Sequence, residues 1–437
     1  MHSRAARATW LGACALAIVA PLAFAWPGLA TGDPVARLAT ATGVLALSLL
    51  AIALVLPARV HALVASFGIE KILLSHRRIA VCALVLVGAH LVLVVLSDPR
   101  GLSILDLRNT TDPAWAATLS TLALALAVFL AVRRRRRQVR YEGWRLMHVY
   151  LAGAVFLGTA LHVWWLDHLV TLPWFGASFA LLVVAVVGLA ARRWVWLPLR
   201  ARRRSYVVEE IRPAAGDAIT VVVRAHGHDG LAFRAGQFAW LKVGSSSFVF
   251  EEHPFTICST AEEPHRKEFT IKALGDFTEL LRGLRPGRRV YLDGPYGRFT
   301  MEGLEHSAGF VLVAGGVGVT PMISMLRTLA DRQDKRHHTL IVGARTVDDI
   351  VMRPEIEELR GRLDLEVTEV VDSPPPGWRG EAGRIDRSCL ERHLPRHRRH
   401  YDYFLCGPPP MVAAVGHELR EQGVPVRRIH TEQFASV

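Results

Sequence analysis

Six apolar runs, each close to the length that spans a bilayer, fill the first 191 positions of this 437-residue chain, at about 9–26, 35–56, 78–96, 114–132, 146–166 and 173–191. The hydrocarbon core offers no water to backbone N–H and C=O groups, so a run of about 20 apolar residues that crosses it must be helical. The runs predict a six-helix all-α transmembrane bundle over residues 1–199. From Arg200 onward no such run occurs, and the remainder reads as a soluble α/β protein.

Two of the runs carry histidines at one shared interval. His76 and His90 stand fourteen residues apart in the third, and His148 and His162 stand fourteen apart in the fifth. Fourteen residues return to nearly the same helix face and separate the rings by about 21 Å along the axis. If the two helices run side by side in the same direction, His76 meets His148 at one depth and His90 meets His162 at another. A lone histidine in an apolar helix is ordinarily satisfied by a neighbouring helix. Four at matched depths point to ligation, because an imidazole in a bilayer is costly unless paired or coordinated. Each pair suits one metal macrocycle held between facing helices, a b-type haem with two imidazole ligands. His61 lies outside the paired pattern and reads as structural.

The net charge of +13 does not mark a nucleic-acid binder, because of where it falls. Arg133 to Arg137 with Arg140 lie between the fourth and fifth runs, and Arg192, Arg193, Arg200 and Arg202 to Arg204 follow the sixth. Basic loops stay cytoplasmic, so both termini and the soluble part are expected inside a cell (inner) membrane crossed several times. The arginine run also suits anionic lipid heads. This orientation puts His76 and His148 near the inner face and His90 and His162 near the outer one. Arg77, Arg78 and Arg145, beside the inner pair, suit macrocycle carboxylates or simply obey the same topology rule. The segment 97–113 is the longest external loop. Arg4, Arg7 and a short apolar run ending in Ala23-Phe24-Ala25 resemble a cleavable signal, although a retained first helix fits better. The lipoprotein-like Leu11-Gly12-Ala13-Cys14 has no apolar region before it. Cys14, Cys82, Cys258, Cys389 and Cys406 form no CxxC pair, so neither disulfides nor an iron–sulfur cluster is expected.

Beyond the basic linker at Arg200 to Arg204 the period changes. SYVVEEI, AITVVVRAH, FAWLKVG, FTICST, EFTIKAL and RRVYLDG read as short strands of an antiparallel β-barrel over 205–302. From residue 307 to 437, strands GFVLVAG, HTLIVGA, DLEVTEVV and YDYFLCG alternate with helical stretches, as in an α/β parallel sheet. SPPPGW, at 373–378, reads as a surface loop. His253-Pro254-Phe255-Thr256 starts a barrel strand with a proline. Gly275-Asp276-Phe277-Thr278 opens a helix whose start suits a pyrophosphate, with Lys272 adding charge. Asp293-Gly294-Pro295-Tyr296-Gly297 reads as a tight turn ending the barrel. Gly315-Gly316-Val317-Gly318-Val319-Thr320-Pro321 follows the first strand of the sheet, where glycines let a backbone approach a dinucleotide phosphate. Cys406-Gly407-Pro408-Pro409-Pro410-Met411 stands at another strand's carboxyl end, where open α/β sheets bind ligands.

With these motifs, residues 205–437 resemble the ferredoxin–NADP reductase superfamily. The whole chain resembles the NADPH oxidase and ferric reductase family of transmembrane flavocytochromes. The resemblance implies two haem b groups on His76, His90, His148 and His162, FAD on His253, Pro254, Phe255 and Thr256, and pyrophosphate contacts near Lys272, Gly275 and Thr278. It implies that Gly315, Gly316, Gly318, Thr320, Pro321, Cys406, Gly407 and Pro408 contact the nicotinamide nucleotide. Thr256, Cys406 and the near-terminal aromatic Phe434, which has three residues after it, are the expected hydride-transfer residues, Phe434 covering the flavin. No DxDxDG loop is present, so calcium control is not expected.

The reaction so implied is an NAD(P)H oxidoreductase that sends electrons from FAD to the inner haem and on to the outer one. Arg345 suits the 2′-phosphate of NADPH and tilts the expected donor towards NADPH over NADH, a tilt that Asp348 and Asp349 weaken. With both axial positions filled, oxygen would be reduced at the haem edge. The acceptor favoured is O2, giving superoxide. A ferric chelate is the alternative, and a membrane-anchored flavin reductase serving a cytoplasmic protein is a further one.

Overall fold

The computed structural model describes residues 2–29, 33–98, 102, 106, 108, 111–134, 141–272 and 275–433. It divides into two compact units, Met1–Pro198 and Leu199–Val437.

The first unit is helical: α1 (His2–Leu29), α2 (Pro34–Val55), α3 (His61–Phe67), α4 (Ile69–Ser97), α5 (Asp112–Arg134), α6 (Tyr141–Trp164), α7 (Asp167–Val170) and α8 (Pro173–Ala191). Six of these helices are long and apolar enough to cross a membrane. Asp33 starts α2, its carboxylate accepting from Val35 N and Ala36 N with Pro34 at the first turn. The helix bearing the first histidine pair begins at Ile69, before the apolar run, so His76 lies well inside regular helix. His61 opens the short α3. Antiparallel helices pair as α2 with α4 and α5 with α6, whereas α4 and α6 approach each other far less closely. Small residues set the α5–α6 contact. A Cβ on Gly158 would stand 2.9 Å from Ser120 Cβ, and Ser120 Oγ donates to Val155 O at 3.0 Å. Exposed Trp26, Trp164 and Trp174 gather at one end of the bundle, and Trp194 and Trp196 at the other, as interfacial aromatics do.

A π-turn at Arg192–Trp196 and α9 (Leu197–Arg203) lead out of α8. The antiparallel sheet of the second unit comprises β1 (Tyr206–Ala214), β2 (Ala218–Ala225), β3 (Phe238–Val243), β4 (His253–Thr256), β5 (Arg266–Lys272) and β6 (Arg289–Tyr296), in the order β4-β3-β6-β1-β2-β5. Alternating apolar residues such as Val221, Val223, Leu241 and Phe269 fill its core together with Leu281 of α10 (Asp276–Arg282).

One local expectation is corrected here. Asp293 to Tyr296 do not form a turn. They continue β6, with Asp293 opposite Trp240 and Tyr296 opposite Phe238. A register shift absorbs Gly294-Pro295, and a Cβ on Gly294 would come within 3.0 Å of Ala239 Cβ. Pro254 lies at the start of its strand, as the second residue of β4, an edge strand where a missing N–H is tolerated.

The parallel sheet consists of β7 (Phe310–Gly315), β8 (His338–Ala344), β9 (Leu365–Val371), β10 (Glu381–Ala382), β11 (Asp402–Gly407) and β12 (Ile429–Gln433), in the order β10-β9-β8-β7-β11-β12. α11 (Val319–Asp331), α12 (Arg353–Arg360), α13 (Arg387–His393) and α14 (Pro409–Glu421) connect its strands. The edge strands β10 and β12 add to the four the sequence pattern shows.

Candidate functional site

In the bundle, α4 and α6 bring the four histidines together as matched pairs. Ring centres of His76 and His148 lie 6.1 Å apart with planes at 82°, and those of His90 and His162 lie 6.4 Å apart at 71°. Neighbouring helices hold three of the rings. His76 Nδ1 donates to Ala53 O at 2.8 Å, His90 Nδ1 to Ala39 O at 2.8 Å, and His162 Nδ1 to Pro113 O at 2.9 Å. A carbonyl only accepts, so the proton sits on Nδ1 and the Nε2 lone pair is free for a metal. Ala39 and Ala53 are themselves fourteen residues apart on antiparallel α2, and thus serve both α4 histidines. Ala53 lacks the usual helical donor because the residue four places on is Pro57. Four residues after Ala39 stands Gly43, where a Cβ would lie 2.9 Å from the His90 ring. Among the described residues there is no group of three or more His, Cys, Asp or Glu able to hold a metal ion. Arg77 and Arg78 are exposed and Arg145 is half-buried. Most of the adjoining arginine run, Arg135 to Arg137 and Arg140, lies outside the described residues.

In the second unit, strand alternation divides the HPFT segment. His253 and Phe255 face Phe277 of α10, with ring centres 4.2 and 6.1 Å away, while Pro254 and Thr256 belong to the opposite face. The four side chains therefore do not line one surface. Thr278 Oγ1 accepts from Gly275 N at 3.0 Å and donates to Gly275 O at 2.6 Å, which secures the start of α10. Lys272 Nζ stands 3.8 Å from Asp349 Oδ1, and exposed Arg345 stands 3.8 Å from Asp349 Oδ2. One carboxylate thus offsets both cations. Phe434 lies outside the described residues.

The two glycine motifs interlock at the carboxyl ends of β7 and β11, adjacent strands that pair Ala314 with Cys406. A Cβ on Gly318 would be 2.4 Å from Cys406 O, and one on Gly315 would be 2.7 Å from Met411 Sδ. Gly316, at φ +55, makes the turn from strand to helix. Gly315, Gly316, Gly318, Cys406, Gly407 and Pro408 therefore share one edge. Thr320 and Pro321 are buried in the first turn of α11, and Thr320 Oγ1 donates to Val317 O at 2.9 Å. The Cys406 side chain is buried.

A clamp between the two lobes of this unit escaped sequence reasoning. Arg327 donates to Glu268 Oε2 at 2.8 Å and to Cys258 O at 3.0 Å. Ser324 Oγ donates to Ser259 O at 2.8 Å, and Thr328 Oγ1 accepts from Ala261 N at 2.9 Å. The helix that follows one glycine motif is thereby fastened to the segment that follows the HPFT strand. Burial raises the Glu268 carboxyl, but Arg327, Arg212 and Arg266 outweigh it and hold it below its usual range. Burial pushes the Cys258 thiol up to about 11, so it stays protonated. The signal in the sequence was Ser324, Arg327 and Thr328 at i, i+3 and i+4 on one helix face.

Comparison with known proteins agrees with this division. Residues 42–159 match a ferric reductase like transmembrane component, a span that holds His76, His90 and His148 and ends before His162. Residues 208–300 match an FAD-binding domain, and residues 312–417 an oxidoreductase NAD-binding domain. The reductase component of propane 2-monooxygenase from Rhodococcus jostii is 34% identical over 240 residues, 52% of this chain and 63% of that protein. NADH-cytochrome b5 reductase 1 of Cryptococcus neoformans is 30% identical over 164 residues, 35% of this chain and 55% of that protein. The chain thus spans less than two thirds of either relative. The solved structure of Amycolatopsis cytochrome P450 reductase GcoB is 28% identical with a TM-score of 0.47, covering 53% of this chain and 69% of that one. A ferric reductase transmembrane component followed by FAD- and NAD-binding domains is the ferric reductase and NADPH oxidase-like architecture, and this chain has that order of domains, with six helices among the described residues long and apolar enough to cross a membrane.

Proposed function

We propose that this protein moves electrons from cytoplasmic NAD(P)H, through FAD and two b-type haems, across the cell membrane to an external acceptor, O2 in the favoured case with superoxide as product. The paired histidines carry the reading. A metal–imidazole bond of about 2.0–2.1 Å, with each ring centre about 1.2 Å behind its bonded nitrogen, places two imidazoles on opposite sides of one metal about 6.4 Å apart. The observed 6.1 and 6.4 Å fit that separation at both levels. A structural pair would need no such match, and none at a second depth.

When bound, FAD supplies the conversion of a two-electron hydride into single electrons, and the haems supply one-electron stations through the bilayer. The protein's own share is positional. The Ala39, Ala53 and Pro113 carbonyls fix the imidazole tautomers, and α2 and α5 hold the ligand-bearing helices. The glycine edge of β7 and β11 admits the nicotinamide nucleotide at backbone distance, and the α11 clamp sets that edge relative to the HPFT strand. Pro254 and Thr256 are the HPFT side chains assigned to the flavin, since His253 and Phe255 are occupied with Phe277. Asp349, offsetting Arg345 and Lys272, disfavours a 2′-phosphate and makes NADH the preferred donor. The positive-inside pattern supports cytoplasmic termini, with His76 and His148 on the inner side.

A second reading has the bundle as an anchor and the soluble unit as a reductase for a cytoplasmic protein; likeness to a monooxygenase reductase component favours it. Sealed proteoliposomes separate the two. With NADH outside and ferricyanide trapped within, the wild type should reduce the trapped acceptor. His90→Ala should lose that activity while its FAD is still reduced by NADH. Unchanged lumenal reduction in the variant would sink the transmembrane route.

A further inference from the structure

Three of the four bundle histidines are fixed in one way and the fourth is not. His76, His90 and His162 each direct Nδ1 to a backbone carbonyl of the neighbouring helix. By the fourteen-residue repeat, the carbonyl corresponding to Pro113 for His148 would be that of Ala127 on α5. His148 Nδ1 nevertheless has no hydrogen-bond partner, although it is closed off from solvent. What His148 has is Trp144, one turn earlier on α6, stacked on it with ring centres 5.3 Å apart and planes at 21°.

We propose that Trp144 is the positioning residue of His148, and that the His76/His148 pair is the weaker and more easily opened of the two. This rests on the haem reading above. A stacked indole limits the tilt of an imidazole and fills the space beside it, but it accepts no proton. A carbonyl on Nδ1 fixes the tautomer and raises the basicity of the ligating nitrogen, and loss of such a partner typically weakens metal binding 10–100-fold. His90 and His162 both have that support, so their pair has two strong ligands. His76/His148 has one strong ligand and one held by stacking alone. His148 is therefore the ligand that yields when a small molecule competes for the iron.

Carbon monoxide is the probe, used on the full-length protein reduced with dithionite, with haem counted per chain. Trp144→Leu should retain two haems when oxidised yet bind CO at one of the two, at least tenfold more tightly than the wild type does at that haem. Trp144→Phe, which keeps a flat ring, should stay close to the wild type. A Leu variant with two haems and wild-type CO affinity would overturn the proposal, as would a Phe variant as impaired as Leu. If the Leu variant does not accumulate, a redox titration of the wild type decides: CO should raise one of its two midpoints, and a titration in which CO moves both or neither overturns the idea. A wild type that carries no haem removes the reading beneath it, a result distinct from two haems with no asymmetry.

Discussion

Gly43→Ala is a change of one methyl group that two effects pull in opposite directions. In a helix interior alanine is favoured over glycine by about 0.5–1 kcal/mol, so propensity alone says α2 is stabilised. The structure says the site is harmed. The new Cβ would lie 2.9 Å from both Cε1 and Nδ1 of His90. Ordinary carbon contacts begin near 3.5 Å, so the ring must retreat by about 0.6 Å. That stretches its 2.8 Å bond to Ala39 O to about 3.4 Å, beyond hydrogen-bond range. The bond itself is worth about 1 kcal/mol, and losing a ligand's outer partner weakens metal binding about 10–100-fold. The expected variant folds and inserts normally, with unchanged stability or a small gain, but holds its outer haem about 10–100-fold less tightly. Haem released on graded washing after purification should exceed that of the wild type, because His90/His162 then has one carbonyl-supported ligand, as His76/His148 already does. A variant with two tightly held haems and an unaltered low-spin spectrum would refute the placement of His90.

Further expectations follow from the soluble unit. Glu268→Gln leaves Arg327 short of its charge partner; because Arg212 and Arg266 are partly exposed, the cost is about 2–3 kcal/mol, read as a melting temperature lower by roughly 5–10 °C, and an unchanged melt would contradict the clamp. Asp349→Asn frees Arg345 and Lys272 and should raise the NADPH-to-NADH ratio of kcat/KM at least about tenfold; a constant ratio would show that Asp349 does not govern the donor. His338 is fully buried, accepts from Phe310 N on Nδ1, and is pushed down by burial to about 4, against the pull of Asp334. The unfolded chain therefore binds a proton that the folded one does not between about pH 6.5 and 4, and stability should fall across that window by about 3 kcal/mol, a slope that His338→Gln should remove.

The sequence exposed the parts of the site that depend on side-chain spacing. Fourteen-residue intervals on α4 and α6 sufficed to pair His76 with His148 and His90 with His162, because a helix has a fixed pitch. The atoms that orient those rings were harder to see. They are backbone carbonyls of Ala39, Ala53 and Pro113, and a carbonyl carries no residue signature. Only indirect marks existed: the same interval on α2, Pro57 removing a donor, and Gly43 making room. Strand alternation also outweighed motif logic, splitting His253 and Phe255 from Pro254 and Thr256. Asp293 to Tyr296 looked like a turn because Gly-Pro is a turn signal, yet a register shift keeps it in β6. The Arg327–Glu268 clamp joins residues 59 apart, a tertiary pairing that local pattern does not reveal.

The most direct test of the account is an anaerobic reduced-minus-oxidised absorption spectrum of the purified, FAD-supplied protein, titrated with NADH and then NADPH. Two low-spin b-type haems per chain are expected, both reduced by the nucleotide with NADH the better donor, and near-perpendicular imidazole planes should give strongly anisotropic low-spin signals in electron paramagnetic resonance. A spectrum showing flavin alone would contradict it, leaving four histidines that merely pack two helices together.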